Sequence, residues 1–303
     1  MAEKINITFL GTSDAIPSIR RNHTSILLTF KDENILIDCG EGTQRQFKKA
    51  KINLLKITKL LITHWHGDHV LGIPGLLQTL AFNNYQKTLF IYGPEGTKKL
   101  IKQMLKTFVF SGEIKLKITE IKQQGVFFEN QEISLSSKKV YHGIPCNAYS
   151  FTRKGQIKID KNKLKKSKLS QGPFLKKLKQ GKDITYKGKK YKAKNLTFQE
   201  PDKKITFILD TGFNNSLIDF AKNSELLITD SSFSEKDKEL SQASKHLTAK
   251  QAAEIAKKAK AKKLILTHIS QRYSTNLKEI LNEAKKVFKN TSIAKDFDKI
   301  VIE

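Results

Sequence analysis

The chain has 303 residues, 38% of them hydrophobic, about twice the usual single-domain length yet within reach of one large α/β domain carrying insertions, and apolar enough to exclude a disordered polymer. Its 56 Lys and Arg against 29 Asp and Glu leave a formal net charge of +27, which points to a polyanionic partner, either nucleic acid or an anionic membrane surface. Two cysteines, Cys39 and Cys146, exclude a disulfide scaffold and fit a reducing compartment. The opening MAEKINITFLGTSD lacks the apolar core of a signal sequence, and no run reaches the ~18 apolar residues of a membrane span, so a cytoplasmic protein is expected.

Taken in chain order, short β-branched runs recur, and most end in a glycine or in a side chain capable of chemistry. Ile5–Leu10 precedes GTSD, Ile35–Ile37 precedes Asp38, and Lys59–Thr63 precedes His64. Leu135–Tyr141 precedes His142, Ile205–Leu209 precedes Asp210, Leu226–Thr229 precedes Asp230, and Leu264–Thr267 precedes His268. Each reads as a strand. Helical patterns lie between them over Thr43–Lys49, Gly72–Ala81, Gly96–Thr107, Thr248–Ala261 and Leu277–Phe288. The fourth is the clearest, with Thr248 at its N-cap and an alanine-rich interior. Strands and helices mixed in this way imply an α/β protein layered around a central sheet or sheets.

One segment departs from the pattern. From Lys158 to Lys194 there are fifteen lysines against two acids, Asp160 and Asp183, with little apolar content. A charge run by itself reads as a solvated loop. Flanked on both sides by strand-then-ligand units, this one reads as an arm inserted at residues 153–195 and reaching out from a body formed by 1–152 and 196–303.

The strongest signal is His64-Trp65-His66-Gly67-Asp68-His69, three imidazoles and a carboxylate within six residues directly after a strand. Alternating and adjacent ligands on a tight turn splay in two directions and can serve two metal ions, with Gly67 expected to relieve crowding where the turn bends. The remaining ligands are sought where other strands end. His142, Asp210 and His268 qualify, because the carboxyl ends of strands line one edge of a sheet. Of the seven histidines, all but His23 belong to this proposed site. Ligands of nitrogen and oxygen alone suit a zinc pair, with manganese or iron as alternatives. Two ions ~3.5–4 Å apart activate water at neutral pH and clamp developing negative charge. Asp210, the lone carboxylate among the distant ligands, is the natural bridge between them. Asp38 in LIDCGEGT is expected to brace the ligand loops through hydrogen bonds.

HxHxDH with a later His, Asp and His at strand ends resembles the metallo-β-lactamase superfamily, a four-layer αβ/βα sandwich with a dinuclear site. Four further stretches narrow the resemblance to the ribonuclease Z family of transfer-RNA 3′-processing endonucleases. Pro17-Ser18-Ile19-Arg20-Arg21-Asn22 is similar to its PxKxRN loop, with Ile19 where a lysine is usual. The stretch from Gly172-Pro173-Phe174 to Gln180-Gly181 resembles the glycine–proline motif of its flexible RNA-binding arm. His246-Leu247-Thr248 is similar to its HST motif, and LILTHISQRY, ending at Tyr273, to its last-ligand motif. Thr229-Asp230-Ser231-Ser232 stands where the family often has HEAT. The resemblance runs from Leu10 to Tyr273.

Carried over residue by residue, the resemblance implies one zinc on His64, His66 and His142 and a second on Asp68, His69 and His268, with Asp210 between them. It implies Asp68 as proton acceptor for the attacking water and His246 as the acid that protonates the leaving 3′ oxygen, oriented by Asp230. The substrate implied is precursor tRNA, cut after the discriminator base to leave a 3′-hydroxyl and a 5′-phosphate trailer. Gly172 and Pro173 would set a turn at the arm's end, with Lys176, Lys177 and Lys179 on the phosphate backbone. Pro17, Arg21, Asn22 and Arg272 would hold the acceptor stem, and a homodimer would let one subunit's arm serve its neighbour. Two competing readings are a phosphodiesterase of the same superfamily acting on a small or different nucleic-acid substrate, and a non-catalytic RNA-binding protein with a structural metal.

Overall fold

Alternate residues along the first strands part to opposite sides. In β1 (Ile5–Gly11), Ile5, Ile7 and Phe9 enter one apolar cluster and Leu10 another; in β2 (Ser25–Phe30), Ile26 and Leu28 join the first and Leu27 the second. β3 (Glu33–Ile37) divides the same way, Ile35 and Ile37 from Leu36. Such strands are buried on both faces, which requires a layer on each side. The computed structural model describes residues 3–109, 112–167, 169 and 172–303.

β4 (Lys59–Leu61), β5 (Thr88–Gly93) and β6 (Lys115–Glu120) continue this sheet in parallel from β3. The second sheet begins with the antiparallel run β7 (Gly125–Glu129), β8 (Ile133–Tyr141) and β9 (Pro145–Arg153). Beyond it come four short strands, β10 (Ile157–Ile159), β11 (Ile184–Tyr186), β12 (Lys189–Tyr191) and β13 (Thr197–Gln199), paired β10 with β13 and β11 with β12. The second sheet resumes with β14 (Lys203–Ile208), antiparallel to β9, and adds β15 (Leu226–Asp230), β16 (Leu264–Thr267) and β17 (Thr291–Ile293) in parallel. β18 (Lys299–Ile302) returns to the first sheet beside β1. Both sheets are seven-stranded.

The central cluster joins the inner faces of both sheets, Phe9, Ile26 and Ile37 from one with Leu135, Tyr149, Phe207 and Ile228 from the other. On the outer face of the first sheet, Phe47, Leu76, Leu80 and Ile101 pack from the helices Thr43–Lys49, Ile73–Phe82 and Thr97–Thr107. On the second, Leu217, Ala252, Ile255 and Ile280 pack from Ser216–Ala221, Ala249–Lys258 and Leu277–Val287. Each large aliphatic side chain fully buried in this way stabilises by about 1.5–3 kcal/mol. The result is the four-layer αβ/βα sandwich. Thr248 caps its helix as expected, and Gln251 reciprocates to complete a capping box, a device typically contributing ~1 kcal/mol.

The lysine-rich segment carries more structure than its composition announces. Most of its described lysines sit on short helices and strands around an apolar cluster of Leu169, Leu178, Ile184, Ala193 and Leu196, separate from the three clusters of the sandwich. Leu178 is buried while its helix neighbours Lys176, Lys177 and Lys179 are exposed. The helix follows a turn in which Leu175 and Lys176 donate to the carbonyls of Gly172 and Pro173. Pairing runs past Asn195 to Gln199, and the segment's root is tied by Glu200 to Arg153 at 2.9 Å and Lys158 at 2.8 Å. Lys168, Ser170 and Gln171 lie outside the described residues. Also among the described residues, both cysteines are buried and unpaired, and no helix is long and apolar enough to cross a membrane.

Candidate metal centre

β4, β8, β14 and β16 end at one rim of the sandwich. β8 runs in the same sense as β14 because both are antiparallel to β9, so the residues following these strands, His64, His142, Asp210 and His268, arrive together. The loop 64–69 reaches the same place through a tight backbone approach. A Cβ on Gly40 would lie 2.3 Å from the Asp68 carbonyl oxygen, and one on Gly72 would lie 2.1 Å from that of Gly40. The close packing is therefore at Gly40 and Gly72. At Gly67, expected to be the tight point, an added Cβ would meet only the end of the Leu71 side chain, at 3.0 Å.

Two sets of ligand atoms form. In one, His66 Nδ1 lies 3.0 Å from His64 Nε2 and 3.1 Å from His142 Nε2. Asp210 Oδ2 is 3.6 Å and 3.5 Å from the same two Nε2 atoms. In the other, Asp210 Oδ1 is 3.3 Å from both His69 Nε2 and His268 Nε2, and Asp68 Oδ2 is 3.2 Å and 3.3 Å from them. Asp210 thus gives one oxygen to each set. Apart from Asp210, each set draws its members from loops distant in sequence.

For His64, His69, His142 and His268 the far side of the imidazole explains why these atoms point inward. His69 Nδ1 donates to Asp38 Oδ2 at 2.7 Å; His142 Nδ1 donates to the Lys245 carbonyl at 3.0 Å. His64 Nδ1 meets the Thr63 hydroxyl at 3.0 Å, and that hydroxyl donates to Asp38 at 2.7 Å. His268 Nδ1 meets the Ser232 hydroxyl at 2.9 Å, and Ser232 donates to Asp230 at 2.7 Å. A proton fixed on Nδ1 leaves the Nε2 lone pair for the centre, the arrangement that orients histidine ligands. Asp38 and His268 hold φ of 56°, a left-handed backbone uncommon for residues other than glycine and found where function demands it.

These lone pairs and carboxylate oxygens repel one another unless a cation lies among them. Asp210 Oδ1 is buried with no hydrogen-bond partner, and contacts of 3.0–3.6 Å match the edge of a tetrahedron of nitrogen and oxygen ligands at ~2.0–2.2 Å. The donor set fits a pair of divalent ions. Against the cost of burial, Asp210 and Asp38 draw protons to His69, and Asp210, Asp230 and Asp68 draw them to His268, raising both well above the usual imidazole range. Burial instead lowers His64 and His142, keeping them neutral. Despite burial, the surrounding imidazoles hold Asp210 and Asp68 well below the usual carboxylate range.

A cleft of about 310 Å³ opens over these residues, lined also by Asp14, Ala15, Ser232, Phe233, Ser244 and His246. His246 Nδ1 donates to Asp230 Oδ2 at 2.8 Å. Asp230, which stands where the related motif carries a glutamate, also accepts from the amides of Ser232 and Leu247. Burial opposes charge on His246, but Asp230 and Asp210 outweigh it and raise its affinity for a proton. The TDSS stretch therefore provides more than an acid: Ser232, which the sequence did not single out, links Asp230 to the ligand His268. The seventh histidine, His23, is buried and contacts the Ala15 carbonyl at 3.2 Å, holding a loop that lines the cleft.

The residues expected at the substrate divide. Arg272 is exposed and its guanidinium lies 5.5 Å from the ring centre of Phe233, in the cleft wall. Pro17 is exposed, at the start of a turn with Ile19 and Arg20 at its tip. Arg21 is a correction. Its guanidinium is buried, donating at 2.7 Å to Thr12 and at 2.7 Å to the Ala294 carbonyl, beside Asp296. It fastens the C-terminal segment, and the exposed cation here is Arg20. Asn22 donates to the Glu41 carbonyl at 2.6 Å and lines a separate cleft with Arg45.

Solved structures share this architecture. The metallo-β-lactamase fold protein YhfI of Bacillus subtilis superposes with a TM-score of 0.72 at 18% identity, over 99% of this chain and 100% of that one. The short form of human tRNase Z gives 0.70 at 24% identity, over 98% of each. Fold and site together define a protein of the metallo-β-lactamase fold with a candidate metal centre. Family models described as "Anti-Pycsar protein Apyc1" and "Beta-lactamase superfamily domain" match residues 5–169 and 177–269. A ribonuclease Z of Prochlorococcus marinus (strain MIT 9301) is 37% identical over 308 residues, covering 97% of this chain and 98% of that protein. One of Bacillus cereus (strain G9842) is 35% identical, covering 99% and 100%. The chain belongs to the ribonuclease Z family and is a metal-dependent endoribonuclease.

Proposed function

We propose that the protein removes the 3′ trailer of precursor tRNA, hydrolysing the phosphodiester after the discriminator base to leave a 3′-hydroxyl on the tRNA and a 5′-phosphate on the trailer. The observation that carries this reading is Asp210 shared between two complete ligand sets, with His246 beside them on the cleft. His64, His66 and His142 would hold one zinc ion and Asp68, His69 and His268 the other, manganese or another divalent ion being the alternative. Bound there, the ions would lower the pKa of water and stabilise charge on the phosphate. Asp68, held as a carboxylate, accepts the proton of the attacking water. His246, whose proton Asp230 stabilises, donates to the departing 3′ oxygen, a step a sugar alkoxide requires. The three exposed lysines 176, 177 and 179 would contact the tRNA backbone by charge and shape without reading sequence. Cytoplasmic work on such a substrate suits the two free thiols.

Incubating metal-loaded protein with a 3′-extended tRNA and mapping the cut tests this directly; a cut elsewhere, or none, defeats it. Replacing Lys176, Lys177 and Lys179 together by glutamine should weaken processing and flatten its salt dependence, each lost phosphate contact removing roughly 0.7–0.9 from the log–log slope. In a homodimer in which one subunit's arm serves the other's cleft, mixing the triple variant with Asp68→Ala subunits should give more activity than the two variants show separately.

A further inference from the structure

Tyr141 ends β8 immediately before the ligand His142, yet it is 62% exposed. A single exposed aromatic is ordinary; its neighbours are not. The Lys245 ammonium lies 5.3 Å from the centre of the Tyr141 ring, within cation–π range. Among the described residues no carboxylate comes within ion-pair distance of that ammonium. The same Lys245 accepts His142 Nδ1 on its carbonyl and precedes His246. It holds φ of 58°. Gly143 makes the space, since a Cβ there would lie 2.4 Å from Lys245 Nζ. On the other side, the Gly212 amide donates to the Tyr141 carbonyl at 2.8 Å. His142 and Ser244, the chain neighbours of this pair, line the cleft. A cation with no carboxylate partner among the described residues, over a largely exposed ring and next in the chain to two cleft-lining residues, has the two complements of one nucleotide, a charge for its phosphate and a π-face for its base.

Resting on the ribonuclease reading above, we propose that Tyr141 and Lys245 bind an unpaired nucleotide of the RNA flanking the scissile bond, the ring stacking on its base and the ammonium meeting its phosphate. Stacking tolerates any base, so the pair fixes the strand in register without selecting sequence.

The test uses full-length, metal-loaded protein and a 3′-extended tRNA, with abasic substitutions at the nucleotides on either side of the cut. Tyr141→Leu should raise KM by ~5–100-fold, the usual range for losing one base stack, with kcat much less changed; Tyr141→Phe should restore it. An abasic nucleotide at one flanking position should cost the wild type a similar factor and cost Tyr141→Leu nothing further. Lys245→Met should raise KM less and reduce its salt dependence. Wild-type KM for Tyr141→Leu, or an abasic penalty undiminished in that variant, overturns the proposal while leaving the ribonuclease reading intact. Failure of the wild type to cut the RNA at all overturns both.

Discussion

Asp38 and Asp230 occupy matching places in the two sheets, one just after β3 and the other at the end of β15, and are built into the same device. Each accepts one imidazole directly, His69 at 2.7 Å or His246 at 2.8 Å. Each also reaches a second through a hydroxyl, Thr63 to His64 or Ser232 to His268. Three of the four imidazoles aim a lone pair at the ligand sets. The fourth, His246, keeps 15% of its side chain exposed to the cleft, whereas His69 is fully enclosed. The same carboxylate chemistry thus acts on one ring that burial encloses among the candidate ligand sets and on another that keeps an edge open to the cleft.

That comparison can be broken at its deeper end first. Asp38→Ala strands the Thr63 amide and hydroxyl and the His69 ring in a dry interior, a loss of about 3–5 kcal/mol of stability. Denaturant unfolding measures it, and metal analysis should show the second ligand set impaired. Full metal content with unchanged stability would mean Asp38 braces nothing. His246→Ala should next reduce turnover of 3′-extended tRNA by ~10²–10⁴-fold while metal content stays at the wild-type level. On a nitrophenyl phosphodiester, whose leaving group needs no proton, the loss should be smaller. An equal loss on both substrates would remove the distinction between His246 and His69. Ser232→Ala and Thr63→Val, the gentlest changes, each sever one hydroxyl link and should weaken metal affinity by about 10–100-fold, read by competition with a chelator. A Ser232 variant that binds metal normally would confine the parallel to the direct contacts.

Much of the site was legible because ligands announce themselves. HxHxDH is local, and His142, Asp210 and His268 follow runs whose β-branched character marks them as strands. β9 was not legible: Asn147, Ser150 and Thr152 interrupt its apolar residues, although the strand is buried on both faces between β8 and β14. Nor did the fifteen lysines reveal that four scattered apolar residues among them form a core with Leu196 just beyond. Arg21 misled for a related reason. Its motif names a cation, but the guanidinium goes where Thr12 and the Ala294 carbonyl accept it, and Ala294 is 273 residues away.

By itself the sequence determined the chemistry on offer: which strand ends carry imidazole or carboxylate, where charge accumulates, and where helices begin. Those are properties of neighbours along the chain. The tertiary structure decided which nitrogen of each ring faces inward, which of two adjacent arginines meets solvent, and which histidine stays open to the cleft. Those outcomes depend on hydrogen-bond partners and burial contributed by other segments, from a single turn to 273 residues away, and only the packing of two sheets settles which of them meet.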